Sequence, residues 1–186
     1  MLLPLTLNEQ LPLRTARLLI APLELAHLDD LAAMLADPVV MACFPRPMTR
    51  PESEQWLRRS IERYRLHGSG LWAVLRERAG KTVFLGDCGV QVRTFGGRTH
   101  LELGYHFARH AWRQGFATEA AQACLALAFR HTDAEEIVAL IRPENEASRR
   151  VARQLGMTPS GAVLHGGLVH DTWRAHRRPP GGLALQ

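Results

Sequence analysis

Leu101-Glu102-Leu103-Gly104-Tyr105-His106-Phe107 is followed, after four residues, by Trp112-Arg113-Gln114-Gly115-Phe116-Ala117-Thr118-Glu119-Ala120. The first stretch alternates as a β-strand does, and the second opens an alanine-rich helix behind Gly115. A helix start exposes backbone N–H groups and the positive end of the helix dipole, which favour an anion such as a diphosphate. Gly115 lets that anion approach the backbone with no Cβ in the way. Strand alternation puts Glu102, Gly104 and His106 on one face and Leu101, Leu103 and Tyr105 on the other. Two groups able to exchange protons therefore stand beside a candidate anion site. Plain α/β architecture also produces strand–glycine–helix junctions, and the chain carries neither a Gly-x-Gly-x-x-Gly fingerprint nor a Gly-Lys-Ser/Thr P-loop.

The flanking sequence spells out the elements that would position these groups. Arg17 to Leu23 reads as a first strand. Leu28, Leu31, Ala32 and Leu35 recur at helical spacing and predict a helix over 27–36, broken by Asp37-Pro38. Thr49 and Glu52 form a capping box for a helix to about His67, with Trp56, Leu57, Ile61 and Tyr64 turned inward. Strands over 71–77 and 82–93 follow, joined by a hairpin turn, and Phe95-Gly96-Gly97-Arg98 turns the chain into a strand over 99–107. A helix over 115–130, an apolar strand over 137–142, a helix over 145–155 and two strands around His165-Gly166-Gly167 complete the order.

A second segment carries its own pattern: Asn145, Ser148 three residues later, then Leu155-Gly156-Met157. Locally, Asn145 reads as an N-cap and Gly156 as a helix-closing glycine. Taken together and in this order, the two segments resemble the GNAT family of acyl-CoA-dependent N-acetyltransferases. The first resembles its acyl-CoA-binding motif, Gln/Arg-x-x-Gly-x-Gly/Ala, and the second its Asn-x-x-Ser…Leu-Gly-Phe segment, with Met157 in place of phenylalanine. Trp112 departs from the broad motif; it resembles the branch that acetylates protein N-termini, such as those of ribosomal proteins.

The resemblance covers about residues 15–176. It implies an α/β GNAT acyl-CoA N-acyltransferase fold, a mixed central sheet flanked by about four helices. One domain would span 1–186, with a flexible tail over about 177–186. It implies acetyl-CoA as cosubstrate and no metal, held by His106, Phe107, Arg113, Gln114, Gly115, Phe116, Ala117, Thr118 and Asn145. The asparagine would touch the pantetheine arm, and Ser148 would lie near the sulfur.

Amine acetylation needs a neutral amine, a polarised thioester carbonyl and a protonated leaving thiolate. An amine of pKa near 8 needs modest help, so a carboxylate acting through water suffices; Glu102 is the candidate base and His106 the second. Glu102 as a solvated strand charge is the structural alternative. The resemblance implies that a backbone N–H near His106 or Phe107 would polarise the carbonyl. The only tyrosines are Tyr64 and Tyr105, and Tyr105 sits in a core pattern; the resemblance to the N-terminal-acetylating branch implies Ser148 as the proton donor to sulfur. No covalent nucleophile is apparent, which favours direct transfer in a ternary complex. The acceptor would be met by Val40 to Trp56, with Met41, Phe44 and Trp56 as an apolar wall, and by the hairpin at His165 to Asp171. A peptide or protein α-amine is the first expectation for the primary-amine acceptor. The alternatives are a small-molecule amine and a non-catalytic acyl-CoA-binding module.

Composition excludes other classes. The chain has 186 residues, 46% hydrophobic and 22% charged, which are globular values. No apolar run approaches about 18 residues and the start lacks a signal-peptide pattern, so no membrane partner is expected. Cys43, Cys88 and Cys124 are odd in number without Cys-x-x-Cys spacing, which reads as reduced thiols in a cytoplasm. The net charge is +5, but three of those charges are Arg174, Arg177 and Arg178 at the C-terminal end, and no basic stripe is interleaved with aromatics. Nucleic acid is therefore not an expected partner. His106 with His110, and His165 with His170, lack ligand-spaced carboxylates or thiols and read as non-metal. A homodimer remains open beside a monomer.

Overall fold

A computed structural model describes residues 5–78 and 80–177. The tail expected over 177–186 lies outside them from residue 178 onward. Arg177 itself is anchored: its guanidinium donates to the carbonyls of Phe129, Thr132 and Ala134.

A short 3-10 turn at Leu7–Gln10 precedes β1 (Leu13–Arg14) and β2 (Leu19–Ala21). Helices α1 (Leu28–Ala36) and α2 (Arg50–His67) follow, then β3 (Gly70–Arg78), β4 (Lys81–Phe95) and β5 (Arg98–Phe107). The chain ends with α3 (Phe116–His131), β6 (Glu136–Ile141), α4 (Glu146–Gln154), β7 (Thr158–His165) and β8 (Leu168–His176). The capping box of α2 forms as expected: the Thr49 N–H donates to Glu52 at 2.8 Å, and Gly68 closes the helix at φ 63°.

The first strand is shorter than the expected Arg17–Leu23. Only Leu19–Ala21 pair with β3. The neighbouring N–H groups have other partners: Arg17 donates to Glu119 (3.0 Å), Leu18 to the Thr15 hydroxyl (3.0 Å) and Leu23 to the Tyr64 hydroxyl (3.2 Å).

The strands form one sheet in the order β1-β2-β3-β4-β5-β6-β8-β7. Every neighbouring pair is antiparallel except β5 and β6, which run parallel. The mixed sheet and four α-helices are those the sequence implied. One face of β4 and β5 presents Cys88, Val90, Leu101, Leu103 and Phe107 to α3, whose buried Ala120, Cys124 and Ala128 allow close approach. On the other face, Leu31, Leu35, Met41 and Leu57 of α1, α2 and their connection pack over Ala73, Leu75 and Phe84.

Candidate active site

β5 and β6 share a single registered pair, Glu102 with Val138. Past it, β5 runs on to Phe107 paired only with β4, and β6 runs on to Ile141 paired only with β8. The two parallel strands therefore diverge and leave a gap in the middle of the sheet. The Ala108 N–H donates to Leu85 of β4 (2.9 Å). Strand alternation then turns the Phe107 and Tyr105 N–H groups to the gap side. Of the two positions expected to supply a carbonyl-polarising N–H, Phe107 has the right direction; its ring is buried in the core.

At the open end of the gap, Arg113 (φ 58°) and Gly115 (φ 79°) both take left-handed backbone around Gln114. Such a turn gathers N–H groups into a concave, anion-binding surface. Gly115 is the N-cap of α3, with no side-chain cap, and the first helical bond runs from the Glu119 N–H to Gly115. The N–H groups of Phe116, Ala117 and Thr118 thus have no helical partner. The Phe116 ring points into the core beneath Arg17 and Arg76, 4.6 and 5.2 Å from its centroid, so the backbone alone is its contribution. Trp112 steadies the turn by donating its indole N–H to the Phe107 carbonyl (2.6 Å), and Gln114 does so by donating to His110 (2.7 Å). The Arg113 side chain is exposed at the rim. Thr118 is tied to Gln154 of α4 at 2.7 Å.

Arg17 clamps the same turn from the N-terminal segment. It donates to Glu119 (Nε, 2.6 Å) and to the Gln114 carbonyl (2.8 Å), while the Thr15 hydroxyl also reaches Glu119 (2.6 Å). Burial pushes the Glu119 pKa up, but the hydrogen bonds from Thr15 and Arg17 and the charge of Arg17 outweigh it and hold the carboxyl below its usual range.

The face of β4 and β5 that meets α2 is polar at this level. Asp87 opposes His106, Gly89 opposes Gly104, and Gln91 opposes Glu102. Glu102 is buried and accepts from Arg93 Nε at 2.8 Å. Arg63 of α2 donates to Gln91 at 3.2 Å. Burial lowers the Arg63 pKa, and so does repulsion from Arg93 and Arg59, against an opposing pull from Glu102. His106 Nδ1 lies 2.9 Å from Asp87 Oδ1, and Asp87 is fully buried. Burial pushes the imidazole pKa down; the charge of Asp87, its hydrogen bond and the more distant Glu102 overcome this, and the net shift is upward. Phe44 and Trp56 pack on the His106 ring with centroids 5.2 and 6.0 Å away. Of the three side chains expected to form an apolar wall, Phe44 and Trp56 lie beside His106, and Met41 is buried in the core.

On the far side of the gap, Asn145 caps α4 by accepting from the Ser148 N–H (3.0 Å). Its amide N–H groups make no hydrogen bond among the described residues. The Tyr105 hydroxyl crosses from β5 to donate to the Ser148 carbonyl at 3.3 Å, and burial pushes its phenol pKa up. The Ser148 hydroxyl is half-buried without a described partner.

A gap between diverging strands, an uncapped helix start at one end and a polar seam on one face suit a long anionic thioester with an amine arriving beside it. The family model of the acetyltransferase (GNAT) domain matches residues 17–158. The chain belongs to that family. YkkB of Bacillus subtilis (strain 168) is 35% identical to this GNAT acetyltransferase over 127 residues, 68% of this chain and 73% of its own length. The FsC-acetyl coenzyme A-N(2)-transacetylase of Aspergillus fumigatus is 30% identical over 163 residues, 83% of this chain and 68% of the relative. Among solved structures, RimL, a ribosomal L7/L12 alpha-N-protein acetyltransferase in complex with coenzyme A, aligns with TM-score 0.67 at 15% identity. The alignment covers 89% of this chain and 97% of that one, and at this identity it shows the fold. Membership makes the chain an acetyl-CoA-dependent acetyltransferase. Among the described residues no helix is long and apolar enough to cross a membrane.

While Met41 and the Phe116 ring lie in the core, several of the residues singled out in the sequence lie around one gap. Arg113 to Thr118 lie at its mouth, Asn145 and Ser148 on one bank, and Glu102, His106 and Phe107 on the other. Sequence reasoning missed Thr15, Arg17 and Glu119, which brace the mouth, and Asp87, which pairs with His106. Asp87 had one signal: a lone carboxylate within the otherwise apolar Leu85-to-Val90 stretch of a central strand.

Proposed function

We propose that this acetyltransferase transfers acetyl from acetyl-CoA directly to a primary amine, with a peptide or protein α-amine as the preferred acceptor. Arg113 and the N–H groups from Gly115 to Thr118 would receive the diphosphate, and the Asn145 amide the pantetheine arm. The Phe107 N–H would polarise the carbonyl. Gly115 supports the assignment, since its φ of 79° disfavours any side chain there and a Cβ would also press on the Arg17 guanidinium at 3.3 Å. Glu102 and His106 would face the amine, and Ser148 or the Tyr105 phenol would return a proton to sulfur.

The observation that carries the acceptor class is the state of the carboxylates around the seam. Glu102 is paired with Arg93, Glu144 with Arg142 (2.6 Å) and Asp171 with Arg149 (3.6 Å). No free acidic cluster meets the acceptor among the described residues, which disfavours a polycation and suits an amine on an otherwise neutral chain. Phe44 and Trp56 would flank it, and the β7–β8 hairpin would border the entry. The Aspergillus relative, named as an N(2)-transacetylase, supports transfer to nitrogen, and a small-molecule amine is the second reading. The reduced thiols suit a cytoplasmic setting.

Mass spectrometry of a peptide library and a small-amine panel incubated with acetyl-CoA tests this reading. Acetylated peptide N-termini are expected. Acetylation confined to polyamines or aminoglycosides would overturn the acceptor class and leave the fold and cosubstrate in place.

A further inference from the structure

Glu102 and His106 stand on the same face of β5, yet their surroundings prepare them for opposite tasks. Glu102 accepts from Arg93 at 2.8 Å, and its side chain is 9% exposed. That bond commits its Oε2 to the Arg93 guanidinium. Leu71 and Gln91 fill the space over Gly104, where an added Cβ would meet them at 3.3 and 3.6 Å, and so stand between Glu102 and the His106 ring.

His106 is arranged the other way. Its Nδ1 meets Asp87, and a carboxylate only accepts, so the neutral ring carries its proton on Nδ1 and a lone pair on Nε2. Nε2 has no partner among the described residues, and the side chain keeps 16% of its surface exposed, beside Phe44 and Trp56. Asp87 is fully buried, and its Oδ2 has no hydrogen-bond partner among the described residues. A buried carboxylate so poorly satisfied is stabilised when a cation forms beside it. A proton arriving at Nε2 creates that cation 2.9 Å away.

We infer that His106, positioned by Asp87, is the group that takes the proton from the acceptor amine. The inference rests on the acetyltransfer reading above. An ammonium acceptor passes one proton to Nε2. The freed nitrogen lone pair forms the N–C bond to the thioester carbonyl carbon, and the C–S bond breaks with its electron pair on sulfur. The second amine proton passes to that sulfur, giving amide, free thiol and a protonated His106 that returns its proton to water. His106 is then catalytic, Asp87 a positioning residue, and Glu102 a counter-charge for Arg93. Of the titratable groups around this pair, Tyr64 of α2 and Cys88 of β4 feel the Asp87 charge, and Glu102 of β5 acts on His106.

Two measurements test this. In the parent protein without ligand, NMR titration of the His106 ring should show Nδ1 protonated in the neutral form and a pKa above the ordinary histidine value, falling in Asp87→Asn. A ring titrating at or below the ordinary value, or neutral with its proton on Nε2, overturns the pairing without reference to activity. Profiles of kcat/KM against pH then read the role. The acid limb set by His106 should lie above the ordinary histidine range, because the neutral ring is lost as pH falls through its raised pKa. The limb contributed by the amine itself, near pH 8, is common to all variants. His106→Gln should lose about a hundredfold or more and the enzyme limb with it. Asp87→Asn should lose roughly tenfold and move the limb to lower pH. Glu102→Gln should keep the limb. Asp87→Asn and Glu102→Gln should bind acetyl-CoA as the parent does in calorimetry. Turnover within threefold of the parent in His106→Gln, or loss of the limb in Glu102→Gln, overturns the inference alone. A parent that binds acetyl-CoA and acetylates no amine overturns the acetyltransfer reading and this one with it.

Discussion

The two sides of the central gap are made of different material. The mouth, from Arg113 to Thr118, is backbone: two left-handed residues and a helix start with no cap. The seam on the α2 face is side chains: Asp87 with His106, Gln91 with Arg63, and Glu102 with Arg93. A backbone site serves whatever anion is offered and depends on conformation. A side-chain site depends on which residue meets which, and it can be retuned one pair at a time. Under the proposed function, the cosubstrate half would be built the first way and the acceptor half the second.

The largest expected effect tests the backbone half. Gly115→Val puts a branched side chain at φ 79°, a region that costs about 1–3 kcal/mol. It also crowds Arg17 and the incoming phosphates. Acetyl-CoA affinity in calorimetry should fall at least ~tenfold, about 1.4 kcal/mol. A folded variant binding like the parent would put the diphosphate elsewhere. Next comes the side-chain half: Trp56→Ala should raise the acceptor KM by roughly five- to tenfold, as an apolar wall is removed, and leave acetyl-CoA affinity alone. An equal change in both would mean that the two sides are not separable.

Smaller again is the brace behind the mouth. Glu119→Gln should lower the thermal midpoint by about 2–4 °C near neutral pH, the response to roughly 1 kcal/mol in a chain of this size. The Glu119 pKa is depressed in the folded state, so its contribution is present above the unfolded value and lost as pH falls through the folded one. The gap between parent and variant midpoints should therefore close on acidification; a constant gap would assign the loss to packing. The smallest change expected is in Ser148→Ala, about threefold in kcat with no effect on the α4 cap, since the Asn145 bond uses the Ser148 backbone N–H. An unchanged kcat would leave the proton return to Tyr105 or water.

This division also decides what the sequence could reveal. Backbone sites need glycine and fixed local spacing, so Gly115, the Trp112-to-Ala120 run and the Asn145 cap were legible, as was the α2 capping box. Side-chain pairs are set by strand register and long-range folding. The Arg17 backbone meets Glu119 across 102 positions and Asp87 meets His106 across 19, and nothing local links either pair. The shortening of the first strand has the same origin, because the N–H groups of Arg17 and Leu23 are drawn off by Glu119 and Tyr64.

The single Glu102–Val138 pairing has a mechanical consequence. A sheet joined along its whole length shares load through every rung, whereas this one is hinged at one rung, with β1 to β5 on one side and β6 to β8 on the other. A pantetheine arm lying in the wedge would act as a ninth, borrowed strand, bonding to edges that the chain leaves open. Occupancy should then stiffen the protein well beyond the contact itself, as slower amide exchange on β5 and β6 and a thermal midpoint that climbs with ligand concentration.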